Sequence, residues 1–439
     1  MILILFYDGA MPRFHTLATL TLTGCLALSA CTSATPVAVA PPPSGPTSAE
    51  GTPSEEVLRP QREVRAVSPR VVLAHEGGLL TLDPATGEQL ADTPHPGFLR
   101  LNNAGDGRHV FVSDGDAFRL FDAGIQAKGH GDHHHYYESE IGLTGTAFDA
   151  PHAGHVVVHA GRTTLFADGT GEIQVMDSRF VGDPLRVIET HSTDAPHHGV
   201  AMELSDGSML TTQGTVEERH TVQVLRDGAV AAETTDCPGV HGEAAAAPTA
   251  SGDVVLLGCT NGPVVYRDAA WHKVTVPDAY ARSGNLFGHE ASPVVLGDYK
   301  TDPDADPVER PTRIALIDTR TDLVNLVDLG SAYWFRSLAR GSAGESLVLT
   351  YDGELNVLAE DGTLLHEVPV ISPWEEKADW QEPGPIVKAA GGFAYVTDAA
   401  ANTLSVVDLT SGQVTATHPL PVTPVEMAVV TGHREAPTP

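Results

Sequence analysis

Short apolar runs recur along this chain at a period of forty-odd residues, and this repeat constrains the fold more than any other feature. From Val71 onward, runs such as HVFVSDGDAFRLFD and DVVLLGCTNGPVVYRD are broken by Gly, Asp and Asn turns. Asp-Gly and Asn-Gly pairs between alternating strands are strong hairpin signals. A period in the forties is typical of four-stranded propeller blades. We therefore predict an all-β fold consisting of a single β-propeller.

The repeat also predicts the number of blades and the way the ring closes. Counting the starts of inner strands gives eight blades, and seven if one weak repeat is miscounted. In the last blade, a C-terminal strand at 425–430 is completed by N-terminal strands at 71–82, which removes open sheet edges. The propeller is predicted over 70–432, with a tail at 433–439. The predicted starts lie near Phe98, His155, His198, His241, His289, Arg336, Ile386 and Val425.

Four of these predicted starts are histidines, separated by 43, 43 and 48 residues. Inner strands line the central channel of a propeller, so residues at one register converge there. Neutral imidazole is a common zinc ligand, with Zn–N bonds of about 2.0–2.1 Å. The sequence thus predicts a channel metal site in which Zn²⁺ is held by three or four of His155, His198, His241 and His289. The alternative is that each histidine only satisfies hydrogen bonds at a blade edge.

Residues beside these histidines extend the predicted site. Glu243 and Glu290 are candidate ligands, or acceptors that orient an imidazole N–H. If the predicted inner strands are misplaced by one residue, His197 takes the place of His198 as a ligand. If they are misplaced by three residues, His152 takes the place of His155.

A second histidine-rich feature is the tract KGHGDHHHYYES. The tract reads as a mobile loop before the second blade, anchored by its two tyrosines. Such a tract binds Zn²⁺ readily and suits capture and hand-over. The alternative is a polar loop with no dedicated metal. Its potential ligands are His130, Asp132, His133, His134 and His135.

The N-terminus reads as an export signal. From Met11, a basic residue precedes an apolar stretch from Leu17 to Leu28, too short to span a bilayer as a permanent helix. Leu-Ser-Ala-Cys, ending at Cys31, resembles a bacterial lipobox, in which the cysteine is lipidated. We predict a signal peptide at 1–31 and a Pro-, Ser- and Thr-rich tether at 32–69. An ordinary signal peptide with an incidental cysteine is the alternative.

Two cysteines, Cys237 and Cys259, remain in the predicted mature domain. In an oxidising compartment they most simply form one disulfide. A Cys2His zinc site that includes His241 is the alternative.

Charge and missing motifs limit the function classes. A formal net charge of −31 excludes nucleic acid as a partner, since binding it needs a basic surface. The sequence lacks HExxH, P-loop, GxSxG, Rossmann and CxxCH signatures. We therefore predict a protein that is not an enzyme.

The tracts HGDHHHYYES, APHHGVAMELSDG, CPGVHGEA and GHEASPVVLGD together resemble the AztD-type zinc metallochaperones. The resemblance covers about residues 71–430, and FAYVTDAAANTLSVVDLTSG is similar to the generic YVTN propeller family. It implies an extracytoplasmic propeller that binds Zn²⁺ and delivers it to the solute-binding protein of a zinc ABC importer. We predict that the protein is a monomer. The lipobox departs from a freely soluble form and implies a lipoprotein anchored to the extracytoplasmic face of the cell membrane.

Two other readings compete with a metallochaperone. A metal-dependent propeller hydrolase or lactonase would use the same axial metal with an open coordination position. A scaffold propeller would use the histidines for hydrogen bonding only.

Overall fold

A computed structural model describes residues 61–183 and 186–434, and its regular structure is almost entirely β. In this part of the chain there is no α-helix; the helical elements are single 3-10 turns such as Ser178–Phe180 and Phe335–Ser337. None of the helices within these ranges has the length and apolarity that crossing a membrane requires. The predicted signal peptide with Cys31, and most of the predicted tether, lie outside the described residues.

The strands β2 to β7 and β10 to β35 form four-stranded antiparallel sheets, each with the strand order of a propeller blade. From the innermost strand outward, the first three of these sheets along the chain are β5 (Arg100–Asn103), β6 (His109–Ser113), β7 (Ala117–Asp122), β10 (Gly142–Asp149); β11 (Ala153–His159), β12 (Arg162–Ala167), β13 (Glu172–Asp177), β14 (Val187–Ser192); and β15 (Ala201–Glu203), β16 (Met209–Gly214), β17 (Arg219–Arg226), β18 (Ala229–Thr234). The next three are β19 (His241–Thr249), β20 (Gly252–Gly258), β21 (Val264–Arg267), β22 (Ala270–Lys273); β23 (Leu286–His289), β24 (Ser292–Asp298), β25 (Arg313–Asp318), β26 (Leu323–Asp328); and β27 (Leu338–Arg340), β28 (Ser346–Leu349), β29 (Glu354–Leu358), β30 (Leu364–Pro369). The last two are β31 (Ile386–Ala390), β32 (Phe393–Asp398), β33 (Thr403–Asp408), β34 (Gln413–Pro419); and β35 (Glu426–Val430), β2 (Arg70–His75), β3 (Gly78–Leu82), β4 (Gln89–Pro94).

Apolar packing between neighbouring sheets holds the ring together. The second strands are continuous apolar runs, such as HVFVS in β6, because both their faces are covered. Val222 and Val255 belong to one buried cluster between two successive sheets, and Leu73 and Tyr395 belong to another. Outer strands such as β34 are largely exposed, as expected where only solvent lies beyond. This is the all-β propeller architecture that the repeat predicts.

The last sheet joins the two ends of the described chain. Strand β35 pairs antiparallel with β2 from Arg70↔Val430 to Ala74↔Glu426. The inner strand thus comes from the C-terminus and the outer three from the N-terminus, as predicted from the sequence. All eight predicted starts lie within three residues of the observed inner strands.

Strand direction defines two mouths of the central channel. Four antiparallel strands return the chain to the side on which it started, so all inner strands run the same way. We call the side of their N-terminal ends the upper mouth and the side of their C-terminal ends the lower mouth.

A small sheet projects from the first blade at the lower mouth. Strands β8 (Ile125–His130) and β9 (His133–Glu138) are inserted between β7 and β10, and β1 (Arg62–Val64) pairs with β9. The histidine-rich tract, expected to be a loop, is therefore a β-hairpin with a two-residue turn. Gly131, with φ +62°, supplies the positive φ at the first position of this turn. Strand β1 also lies inside the segment predicted as a tether.

The disulfide lies beside the start of one inner strand. Cys237 precedes β19, Cys259 follows β20, and their sulfur atoms are bonded at 2.03 Å. Both cysteines are fully buried in the same apolar cluster. The free-cysteine state that a Cys2His site would need is not the state of this structure.

Replacing both Cys237 and Cys259 by alanine should lower the free energy of unfolding by about 3 kcal/mol, since the crosslink restricts the unfolded chain. Chemical denaturation of the oxidised protein, the reduced protein and the variant measures this. The reduced protein should match the variant, and equal stability of all three would contradict the prediction.

Candidate metal centre

Three of the four predicted channel histidines meet at the upper mouth. His155 is the third residue of β11, His241 is the first of β19, and His198 lies just before β15. Their ring centroids are 5.1 Å (His155–His198), 5.0 Å (His198–His241) and 5.9 Å (His155–His241) apart. Each offers a nitrogen, and these nitrogens all lie within 4.8 Å of one another. We call these three residues the histidine triad.

Each triad imidazole has an oxygen acceptor beside its Nδ1 atom. His198 Nδ1 lies 2.6 Å from Asp168 Oδ2, and His241 Nδ1 lies 2.6 Å from the Gly284 carbonyl oxygen. His155 Nδ1 faces Glu243 Oε2 at 3.5 Å. Because carboxylate and carbonyl oxygens only accept, the hydrogen of each neutral ring belongs on Nδ1. The three Nε2 lone pairs are then free for a shared ligand, as in metal sites whose histidines are oriented by outer acceptors.

The surroundings favour the neutral form of two of these rings. Burial lowers the pKa of His198 and outweighs the Asp168 carboxylate, which acts in the opposite direction. Burial and the neighbouring His198 hold the pKa of His241 well below its ordinary value. Burial also acts to lower the pKa of His155, but Glu243 outweighs it and the pKa is raised. At neutral pH the triad therefore presents at least two unprotonated rings.

The geometry fits a single tetrahedral ion. Zn–N bonds of about 2.0–2.1 Å place ligand nitrogens roughly 3.4 Å apart in a tetrahedron. Nitrogens within 4.8 Å reach this spacing by small side-chain rotations. Three neutral imidazoles leave one coordination position open.

His289, the fourth predicted ligand, lies at the other end of the channel. It is the last residue of β23 and lines a cavity of about 380 Å³ at the lower mouth, together with His159, Asp253 and Glu290. The structure therefore does not bring His289 or the neighbouring Glu290 to the level of the triad. The spacing of His289, 48 rather than 43 residues, is the reason, because the excess moves it along the strand. Gly284 stands 43 residues after His241 and supplies the carbonyl that orients that ring.

The two histidines considered as replacements do not join the triad either. His197 is buried, with Nδ1 2.9 Å from the Ala195 carbonyl oxygen and Nε2 2.9 Å from Thr212 Oγ1. Both its ring nitrogens are thus engaged in hydrogen bonds of the fold. His152 is exposed in a turn.

A second group of three imidazoles lies on the β8–β9 hairpin. His130 pairs with His133 across the turn, and His135 lies on the same face of β9 as His133. Their ring centroids are 5.1–5.7 Å apart, and the candidate ligand nitrogens lie within 4.8 Å. His130 and His133 are exposed, and His135 is partly buried. We call these three residues the hairpin cluster.

Strand alternation separates the other predicted hairpin ligands from this cluster. His134 points to the opposite face of β9, against Tyr136 and His433. Asp132 lies in the turn, with Oδ1 3.2 Å from His133 Nδ1. Tyr137 packs under the Lys128 ammonium group, which lies 5.0 Å from its ring centroid.

Three partner groups were not predicted from the sequence. Asp168, in the turn after β12, orients His198. Glu63, on β1, places Oε1 2.7 Å from His135 Nδ1. The Gly284 carbonyl orients His241. Each comes from a different blade or from outside the blades, so no local sequence signal connects it to its histidine.

A cavity of about 360 Å³ lies in the channel between the two mouths. Its wall includes Glu243 on the triad side, and also Arg340 and Lys388. Burial lowers the pKa of Arg340 to about 10, so this side chain stays cationic at neutral pH. Positive charge in the wall opposes the passage of a divalent cation between the mouths.

The double substitution His198→Ala and His241→Ala should remove tight divalent-metal binding at the upper mouth, because one remaining imidazole cannot chelate an ion. The matched control is His289→Ala, which removes a channel histidine from the lower mouth. Metal titration against a competing chelator, with circular dichroism as a folding check, separates the two. Unchanged stoichiometry and affinity in the double variant would refute the triad as a site.

Comparisons with known proteins agree with this architecture. No protein-family model matches the chain. The zinc chaperone AztD of Citrobacter koseri is 25% identical over 344 residues, which cover 75% of this chain and 78% of that protein. Two solved structures of Citrobacter koseri AztD, one of them described as apo, match with a TM-score of 0.68 and 23% identity. These matches cover 84% of this chain and 99% of theirs.

A more distant match shows the fold alone. The dihydro-heme d1 dehydrogenase NirN, solved in complex with DHE, has a TM-score of 0.50 at 12% identity and covers 82% of this chain and 74% of its own. The resemblance to AztD that the sequence motifs indicate is confirmed: this chain is similar to AztD in sequence over three quarters of its length and in fold over more than four fifths.

Proposed function

We propose that this protein is an exported zinc chaperone that binds Zn²⁺ and delivers it to the solute-binding protein of a zinc ABC importer. The observation that carries the proposal is the histidine triad, in which three imidazoles place nitrogen atoms within 4.8 Å of one another while acceptors of the fold lie beside their Nδ1 atoms. Neutral nitrogen ligands in a tetrahedral set suit Zn²⁺. The similarity to the zinc chaperone AztD supports this choice of metal.

The two histidine groups differ in the way a holding site differs from an exchange site. The triad is partly buried, and each of its rings is oriented by an acceptor from the fold. The hairpin cluster is largely exposed, and only His135 has a carboxylate acceptor from another strand, Glu63. Pre-organised ligands cost less to immobilise, so the triad should bind more tightly. The hairpin cluster should exchange its ion more readily with a partner.

The opposite mouths imply that the groups work separately. An ion that moved from the hairpin to the triad through the channel would pass the side chains of Arg340 and Lys388. We therefore propose that the hairpin cluster exchanges Zn²⁺ directly with the acceptor, while the triad retains a second ion. The protein acts as a monomer in this scheme, since both groups are complete within one chain.

The rival function is a metal-dependent hydrolase or lactonase. Three histidines with an open fourth position also describe a catalytic zinc site. Such a site needs a general base near the metal-bound water. The nearest candidate, Glu243, already faces His155. Turnover of ester and lactone substrates by the zinc-loaded protein, lost in the triad double variant, would favour the enzyme.

Replacing His130, His133 and His135 together by alanine should slow zinc transfer to an acceptor binding protein by at least about tenfold, while the triad retains its ion. His134→Ala is the matched control, because His134 lies on the same strand but on the opposite face. Stopped-flow transfer kinetics and chelator competition report the two properties. An equal loss of holding and transfer would contradict separate roles.

We also propose that the protein is anchored to the extracytoplasmic face of the cell membrane through a lipid on Cys31. Cys31→Ala should move the protein from the membrane fraction to the soluble fraction, because the acylated residue is lost. Cys25→Ala, within the same predicted signal peptide, should leave it in the membrane fraction. Fractionation with immunoblotting measures this, and membrane retention of the Cys31 variant would refute the anchor.

A further inference from the structure

Two arginines stand beside the histidine triad, and neither forms an ion pair with a carboxylate among the described residues. Arg219, the first residue of β17, donates from Nε to the Val240 carbonyl oxygen at 2.9 Å, one residue before His241. The Arg282 guanidinium lies over Gly284, with three of its atoms 2.9–3.1 Å from the point where a Cβ on that glycine would stand. Gly284 is the residue whose carbonyl orients His241.

The carboxylates in this region are engaged with other groups. Asp168 accepts from His198, and Glu243 faces His155. Asp298 Oδ1 accepts from the backbone N–H groups of Gly284 and Asn285 at 2.6 and 2.9 Å. Within residues 61–183 and 186–434, none of these three forms an ion pair with either arginine.

The charges of the two guanidinium groups act on each other. Burial, followed by the charge of Arg282, lowers the pKa of Arg219, and the more weakly acting Asp168 carboxylate opposes this. Paired cations are unexpected in a chain with a net charge of −31, and beside a cation site they weaken binding of the bare ion.

An anion bound between the two guanidinium groups and the metal ion would neutralise part of their positive charge. Three neutral imidazoles leave a bound Zn²⁺ with its full charge and one open coordination position. Carboxylate oxygen is a usual zinc ligand, and guanidinium groups bind carboxylates with strong, charge-assisted hydrogen bonds.

We propose that the upper mouth is a carboxylate-binding site, in which Arg219 and Arg282 hold a carboxylate group whose oxygen completes the coordination of the ion on the histidine triad. This inference rests on the proposed zinc-binding function. The carboxylate comes either from a small acid in solution or from an acidic side chain of the acceptor protein. In both cases the anion, rather than a further residue of this chain, sets how tightly the triad holds its ion.

The test uses the purified protein loaded with Co²⁺, whose visible absorption reports changes in coordination. Acetate, and separately a tetra-aspartate peptide, are titrated into the wild type and into Arg282→Gln. In the wild type a carboxylate should change the Co²⁺ spectrum and raise the apparent affinity by about tenfold or more, as expected for a charge-assisted contact. In Arg282→Gln most of this increase should disappear, while the affinity without carboxylate stays equal or rises because a repelling charge is removed.

Controls separate this proposal from a structural role of the arginine. No described group accepts a hydrogen bond from the Arg282 side chain, so the variant should fold, and its melting temperature verifies this. Arg320→Gln, an exposed arginine paired with Asp318, should respond to carboxylate as the wild type does. Loss of carboxylate-free affinity in Arg282→Gln would indicate a structural role and overturn the proposal.

The remaining outcomes are distinct. A response to acetate supports a small acid as the source, and a response to the peptide alone supports an acidic segment of the acceptor. If the wild type binds one Co²⁺ at the triad but responds to neither, the carboxylate site is refuted while zinc binding stands. If the triad binds no metal ion, the proposed function itself fails.

Discussion

The direction of the inner strands is the constraint on which the candidate site depends. Every blade sheet of the described chain has four antiparallel strands, so the chain begins each inner strand at the same mouth of the channel. Residues near those starts are far apart in sequence but adjacent in space. His155, His198 and His241 meet for this reason. Pairing of β35 with β2 closes the ring and so fixes the distances between the inner strands.

The electrostatics of the upper mouth set it apart from an ordinary acidic metal site. Its three candidate ligands are imidazoles rather than carboxylates, and burial favours their neutral forms at two of the three positions. The nearby carboxylates orient rings or backbone groups instead of facing the ion. Arg219 and Arg282 add positive charge at the same place. A bound cation there would be held by the placement of its neutral ligands more than by opposite charge.

The sequence predicted the site to the extent that period and spacing carry information. The repeat period grouped four histidines, of which the three spaced by 43 residues meet in the structure, whereas His289, at a spacing of 48, does not join them. Within KGHGDHHHYYES, the composition indicated metal binding but could not show which of the histidines face one another. Once β9 forms, alternation places His133 and His135 on one face and His134 on the other. The tract was expected to be a loop because its residues are polar, whereas pairing with β1 and a two-residue turn make it a hairpin.

The repeat, the all-β class, the closing of the last sheet by both ends of the chain, and the residue types that could bind a metal are all evident from the amino-acid sequence. These features follow from local apolar patterns and turn residues, which can be recognised without knowing any tertiary contact. Only the tertiary structure decided that the triad and the hairpin cluster lie at opposite mouths, and that Asp168, Glu243 and Gly284 orient the triad. It also placed Arg219 and Arg282 beside the triad, where neither forms an ion pair with a carboxylate of the described residues. Those relations join residues from different blades, and blade-to-blade contacts exist only once the ring has closed.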